Sequence, residues 1–168
     1  MREIGLFALQ FIFIFCVVYA MISDYRKLRI PNAISIILAL AFFPFAFLAG
    51  PAIPLVPHLI LAVAVFLLLF GFFAMGWLGG GDVKLLSALT LWAGPSHGMT
   101  FVVLFALFGG VFALALLSLR YALLQYPQIE SVAGLHKPSH WARTGLCPYA
   151  LPIGTAALCV APAIFARV

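Results

Sequence analysis

Two aspartates in an otherwise apolar sequence are the residues best suited to chemistry. Asp24 and Asp82 are two of only four acidic residues in the chain. An acidic side chain at the centre of a membrane span costs about 2.5 to 3.5 kcal/mol on insertion scales, so an ionisable residue at membrane depth indicates function. Two carboxylates that share a site cannot both ionise easily, so one holds a proton while the other stays charged. Acting as a unit, such a pair can deprotonate a water and protonate a carbonyl, which is aspartic protease chemistry and needs no metal.

The residues around Asp82 are expected to support the site. Three glycines precede the aspartate in the sequence 79–84, Gly-Gly-Gly-Asp-Val-Lys. Glycine has no Cβ, so a backbone or a ligand can approach it closely. We therefore expect Gly79 and Gly81 to leave room for the extended backbone of a substrate. Lys84 could tune the pKa of Asp82 or hold an acidic group of the substrate.

Each of these residues also has an ordinary structural interpretation. Asp24 could merely flank a span beside Arg26 and Lys27, since charge next to a membrane segment is common. Asp82 could pair with Lys84 or cap the following helix. The glycines could form a flexible turn, and Lys84 could be a cytoplasmic anchor that snorkels to the surface.

The composition places this chemistry in a membrane. Hydrophobic residues make up 66% of the 168 residues and charged residues 8%, against about 45–50% and about 25% in soluble proteins. We expect one membrane-embedded domain over residues 1–168. The net charge of +5 lies mainly in short loops and reads as a topology signal, so no nucleic-acid partner is expected.

The apolar runs predict an all-α, polytopic fold with about six transmembrane helices. A helix needs about 20 apolar residues to cross the hydrocarbon core. The fourth run, at 83–93, is shorter than this, and an uncharged turn at 94–98 follows it. The six runs are 5–22, 31–48, 59–75, 83–93, 99–119 and 149–165, and one long polar loop is expected at 120–147.

Loop charges predict the orientation, because Lys and Arg are retained on the cytoplasmic side. Only Arg2 and Arg167 fall on one face. The other face carries seven basic residues: Arg26, Lys27, Arg29, Lys84, Arg120, Lys137 and Arg143. The first three of these are better explained as orientation signals than as substrate contacts. Both termini are therefore predicted outside the cytoplasm, and Asp24 and Asp82 share the cytoplasmic face.

No metal site or cofactor is expected. The three cysteines show no Cys-x-x-Cys spacing. His136 and His140 have the i, i+4 spacing of a helical metal pair, but Pro138 between them argues against a regular helix.

The motifs resemble those of a known family. Residues 24–32, Asp-Tyr-Arg-Lys-Leu-Arg-Ile-Pro-Asn, resemble the first aspartate motif of the type IV prepilin peptidases, and residues 79–86 resemble their Gly-x-Gly-Asp motif. Presenilin-like proteases also carry Gly-x-Gly-Asp, but their Tyr-Asp and Pro-Ala-Leu motifs do not occur here. A third similarity begins at Pro148-Tyr149, where Ala150 replaces the family's usual glycine and leaves a close-approach role at that position open.

The resemblance implies an aspartic endopeptidase of the bacterial inner membrane with Asp24 and Asp82 as its catalytic pair. Its substrate would be a prepilin with an N-terminal leader and a hydrophobic helix, cleaved at the cytoplasmic face. Larger members also methylate the new N-terminus through a domain with paired Cys-x-x-Cys motifs. This chain resembles the short, peptidase-only form associated with tight-adherence pili, so no S-adenosylmethionine use is expected.

A second class of protein remains open. In a small transporter or pilus-assembly subunit, the two acids would relay protons or ions. A transporter built on inverted repeats would show two corresponding halves with interrupted helices, and no such correspondence is found in the sequence.

Overall fold

The computed structural model describes residues 1–126, 136–144 and 147–166, and helices account for nearly all of them. A 3-10 turn, Gly50–Ala52, joins the second helix to the third. The six helices of these ranges are α1 (Arg2–Lys27), α2 (Asn32–Ala49), α3 (Leu55–Ala74), α4 (Gly80–Gln125), α5 (His136–Thr144) and α6 (Ala150–Phe165). No strand occurs within them, so the all-α prediction is confirmed.

Four of the helices are long and apolar enough to cross a membrane. By length and composition these are α1, α2 with its 3-10 turn, α3 and α4, whereas α6 is a shorter apolar helix. The outward side chains of α3 include many large exposed hydrophobic residues, among them Val63 and Leu68. Such a surface suits lipid, and the protein is a polytopic membrane protein.

The long helix α4 is broken at Gly94. This residue has φ 58° and ψ −173°, outside the helical region, and it divides the helix into segments 80–93 and 95–125. At about 1.5 Å per residue, the first segment is about 20 Å long, less than the ~30 Å hydrocarbon core. The short fourth span is thus confirmed, but its turn is a single residue. A positive φ favours glycine, and the ring of His58 fills the space that a Cβ would take.

An aromatic cluster fixes the first segment of α4 against α1 and α2. The Trp92 side chain is fully buried, with ring centroids 4.8 Å from those of Phe13 and Phe45. Its indole N–H donates a hydrogen bond of 2.9 Å to the carbonyl of Leu38. These contacts hold the segment that begins near Asp82 between two other helices.

The end of α4 and the helix α5 correct two expectations about residues 120–147. The helix α4 continues to Gln125, so the polar connection starts later than predicted. Pro138 lies in the first turn of α5, where its missing N–H is not needed, and the expectation that it prevents a regular helix was wrong. Trp141 packs edge-on against Tyr25, 5.3 Å between centroids, so α5 lies at the C-terminal end of α1. Glu130 and Arg167 lie outside the described residues.

Candidate active site

Asp24 lies in the last full turn of α1 and is buried, with 6% of its surface exposed. The helix ends at Leu28, which has a left-handed conformation and donates its N–H to the carbonyl of Asp24 at 2.8 Å. Ser23 then donates its hydroxyl to the carbonyl of Arg29 at 2.8 Å. These two hydrogen bonds fold the α1–α2 connection back beside Asp24.

The carboxylate of Asp24 is bound by the N-terminus of α6. The backbone N–H of Ala150, the first residue of that helix, donates to Asp24 Oδ2 at 2.9 Å. The first N–H groups of a helix have no partner within it, and a carboxylate there also interacts favourably with the helix dipole. Asp24 therefore ties α1 to α6 across 126 positions of sequence.

The sequence reasoning did not find Ala150 as a partner of Asp24. Its only signal was the Pro-Tyr-Ala segment, in which alanine replaces the usual glycine. Ala150 is fully buried, and the donor is its backbone N–H, which does not depend on the side chain. Alanine is therefore compatible with the close approach that the substitution had left open.

Asp82 occupies the third position of α4, after Gly79 as the N-cap residue. Its carboxylate accepts a hydrogen bond from the Gly79 N–H, and the Val83 N–H donates to the Gly79 carbonyl at 3.2 Å. The Asp82 contact is the half of a capping box that the third helical residue supplies, because Gly79 has no side chain to complete it, and the Val83 contact is the first ordinary hydrogen bond of the helix. The helix-capping interpretation of Asp82 thus holds.

The hydrogen-bond partner of Lys84 lies on α2 and is not Asp82. The Lys84 ammonium donates at 3.0 Å to Oδ1 of Asn32, the first residue of α2. The lysine therefore links the N-termini of α2 and α4, which the sequence reasoning did not foresee.

Side chains of the protein lie close to the glycines before Asp82. A Cβ on Gly79 would lie 2.8 Å from Asp82 Oδ2, and a Cβ on Gly81 would lie 3.1 Å from the Cβ of Ile30. A Cβ on Gly80 would lie 3.2 Å from the ring of Phe73. The glycines thus let α4 approach the α1–α2 connection and α3, and room for a substrate at Gly79 and Gly81 stays a prediction.

Asp24 and Asp82 line one cavity of about 560 Å³. The charge of Asp24 acts on Asp82, so the two carboxylates interact electrostatically. Lys27 and Arg29 also line the cavity, although their sequence context had favoured a role in orientation alone. The remaining lining residues are Tyr19, Ser23, Leu28, Ile30, Pro31, Asn32, Gly79, Gly80 and Gly81.

Cys147 and Tyr149, which directly precede α6, lie close to the two aspartates. Burial, followed by the charges of Asp24 and Asp82, raises the pKa of the Cys147 thiol to about 11. Burial, followed by the interactions with Cys147 and Asp82, raises the pKa of the Tyr149 hydroxyl, which is hydrogen-bonded to Cys147. Both groups are therefore neutral near pH 7. Within the described ranges, no three of the His, Cys, Asp and Glu side chains group so as to hold a metal.

Fold and site together define a polytopic membrane protein whose two aspartates share one cavity at the ends of its helices. Comparison with known proteins gives its family. The sequence model of the type IV leader peptidase family matches residues 11–114, and the chain belongs to that family. Both aspartates fall inside the matched range. No curated protein and no solved structure matches the chain significantly.

Proposed function

We propose that the protein is a membrane aspartic endopeptidase that removes the N-terminal leader peptide of type IV prepilins. The observation that carries this proposal is the shared cavity of Asp24 and Asp82. The two residues come from the end of α1 and the start of α4. Membership of the type IV leader peptidase family supports a peptidase as the activity and a prepilin as the substrate.

The two aspartates act on a water and the scissile carbonyl. The charged carboxylate takes a proton from the water, whose oxygen attacks the carbonyl carbon, while the protonated carboxyl group donates its proton to the carbonyl oxygen. The tetrahedral intermediate then breaks its C–N bond, and the leaving amine takes a proton from the pair. The reaction needs no metal and no cofactor.

Backbone hydrogen bonds orient the pair for this reaction. The Ala150 N–H binds one oxygen of Asp24, and the Gly79 N–H binds the carboxylate of Asp82. Each donor belongs to a helix N-terminus, so it is fixed by the helix rather than by a mobile side chain. Groups held in this way need little reorganisation when the substrate binds.

The cavity opens toward the cytoplasm in this proposal, and both termini lie outside. Lys27 and Arg29 lie at the cavity, whereas Arg2 binds the carbonyl of Leu48 at the far ends of α1 and α2. This distribution of charge supports the orientation. The protein would act as a single membrane-embedded domain in the bacterial inner membrane during pilus biogenesis, without methyltransferase activity.

Reconstitution tests the proposed activity. The full chain is placed in liposomes with a prepilin encoded in the same genome neighbourhood, and the new pilin N-terminus is read by mass spectrometry. We expect a single cut that releases the leader. Proton or ion movement in sealed vesicles, with no cleavage of any such prepilin, would favour the relay function instead.

A further inference from the structure

A second cavity lies beside the candidate active site, between helices that are long and apolar enough to cross a membrane. It is a groove of about 300 Å³ whose walls come from α2 and α3 and whose floor is the first segment of α4. We call it the lateral groove. The residues that line it are Ser35, Ile36, Ala39, Leu59, Ala62, Val63, Phe66, Lys84, Ser87, Ala88 and Leu91. Lys84 is the one charged residue among them.

One end of the lateral groove is closed. The Phe42 ring stacks on that of His58, with 5.3 Å between centroids, so α2 and α3 touch there. His58 Nδ1 is also 2.8 Å from the Leu91 carbonyl, which joins α3 to the floor. These contacts bound the groove near Leu91. From Leu91 to Lys84 the floor is about 10 Å long at ~1.5 Å per residue, or about two helical turns.

The other end of the lateral groove meets the active-site cavity. Lys84 lines the groove and Asn32 lines the cavity, and these two residues are hydrogen-bonded at 3.0 Å. The Lys84–Asn32 pair is thus a shared wall. A chain that leaves the cavity beside this wall would enter an apolar slot open to the bilayer.

The lining suits an apolar helix. Ile36 and Val63 are more than half exposed along the walls. Their apolar surface is therefore available to pack against a bound apolar segment. Small residues, Ala39 and Ala62, let a neighbouring helix approach closely. Ser35 is 94% buried, and among the residues described its hydroxyl has no hydrogen-bond partner.

We propose that the lateral groove docks the apolar segment of the substrate that directly follows the scissile bond, for about two helical turns. This inference rests on the proposed function, because it needs a substrate that is itself inserted in the membrane. The groove would hold this segment while the leader lies in the active-site cavity. It would add binding energy without contacting the reacting atoms, so its loss raises KM and leaves kcat unchanged.

Photocrosslinking tests the occupant in the otherwise unaltered protein. Benzoylphenylalanine replaces Val63 in the groove or, as a control, Leu68 on the same helix, which is 62% exposed and absent from the groove lining. With a reconstituted prepilin, we expect Val63→benzoylphenylalanine to form a crosslink within the apolar segment and the control to form little. Crosslinks to lipid alone, or equal yields at the two positions, would overturn the proposal.

Filling the groove gives an independent test. Ala62→Trp places a large ring in the slot, whereas Ala64→Trp places the same ring on an exposed part of α3 outside the lining. We expect Ala62→Trp to raise the KM for the prepilin about tenfold with kcat unchanged, and Ala64→Trp to change neither. Equal effects of the two variants on KM would overturn the proposed role of the groove in binding the substrate. If Ala62→Trp does not fold, the crosslinking result decides. Wild-type protein that cleaves no prepilin would contradict the proposed function itself.

Discussion

The backbone N–H of Ala150 donates a 2.9 Å hydrogen bond to the carboxylate of Asp24. This contact joins the first residue of α6 to the last full turn of α1. It also brings the Pro-Tyr-Ala segment next to the aspartate pair. The proposed catalytic geometry thus depends on where α6 begins as well as on the two acids.

Substitution of Ala150 tests this dependence. Ala150→Gly keeps the donor, so cleavage should stay within about twofold of wild type, with a loss of at most about 1 kcal/mol of stability from the glycine. Ala150→Val adds two methyl groups at a fully buried position. Overpacking of this kind costs about 1 to 3 kcal/mol and should push the N–H away from Asp24. Cleavage rates and thermal midpoints of both variants check this, and a fully active Val variant would contradict it.

Gly79→Ala should lower the rate of cleavage without lowering the stability of the fold. The new Cβ would lie 2.8 Å from Asp82 Oδ2, and the carboxylate can rotate away at little cost to the fold. A misplacement of about 1 Å can lower a rate about 100-fold, so we expect a large loss of cleavage with a nearly unchanged thermal midpoint. Gly110→Ala in the same helix is the control, since a Cβ there meets nothing within 4 Å. Equal cleavage by the two variants would count against the placement of Asp82.

Lys84 and Asn32 should be coupled in stability. A hydrogen bond of this kind contributes about 0.5 to 1.5 kcal/mol. Lys84→Met and Asn32→Leu should each lower the unfolding free energy by about this amount, and the double variant should cost little more than either. Reversible unfolding in mixed micelles measures the cycle. Strictly additive losses would show that the 3.0 Å contact does not operate.

The thiol of Cys147 reports on the charges beside it. Its pKa of about 11 leaves about one thiolate in a thousand at pH 8, and alkylation requires the thiolate. Alkylation should therefore be slow at pH 8 and rise about tenfold per pH unit up to pH 10. Removal of one charge in Asp82→Asn lowers the pKa and should accelerate the reaction at pH 8. Mass spectrometry of the Cys147 peptide follows the rate, and an unchanged rate in Asp82→Asn would contradict the proximity.

The helices other than α5 could be predicted from the sequence because each is an apolar run bounded by charge, proline or glycine. The break at Gly94 was visible for the same reason, although only one residue leaves the helix. Asp24 and Asp82 were identifiable because an acid in an apolar run is rare and their neighbours match a motif. The loop charges along the chain predicted that both lie on one face, and the structure shows that both line one cavity.

The partners of these residues could not be predicted. Ala150 acts through its backbone, which leaves no trace in residue type, and it is remote in sequence from Asp24. The Lys84–Asn32 contact depends on how α2 and α4 dock. The helix α5 was missed because Pro138 was weighed as a helix breaker, whereas in a first turn it costs nothing.

The central claim is that Asp24 and Asp82 together carry out cleavage. Asn replaces Asp with almost no change in shape but cannot ionise, and loss of general acid–base catalysis typically costs about 10² to 10⁴ in rate. The direct measurement is prepilin cleavage by reconstituted Asp24→Asn, Asp82→Asn and Glu3→Gln, the last removing an exposed acid outside the cavity. We expect both Asn variants to insert normally and lose cleavage by at least this factor, while Glu3→Gln stays active. Near wild-type cleavage by either Asn variant would contradict the claim.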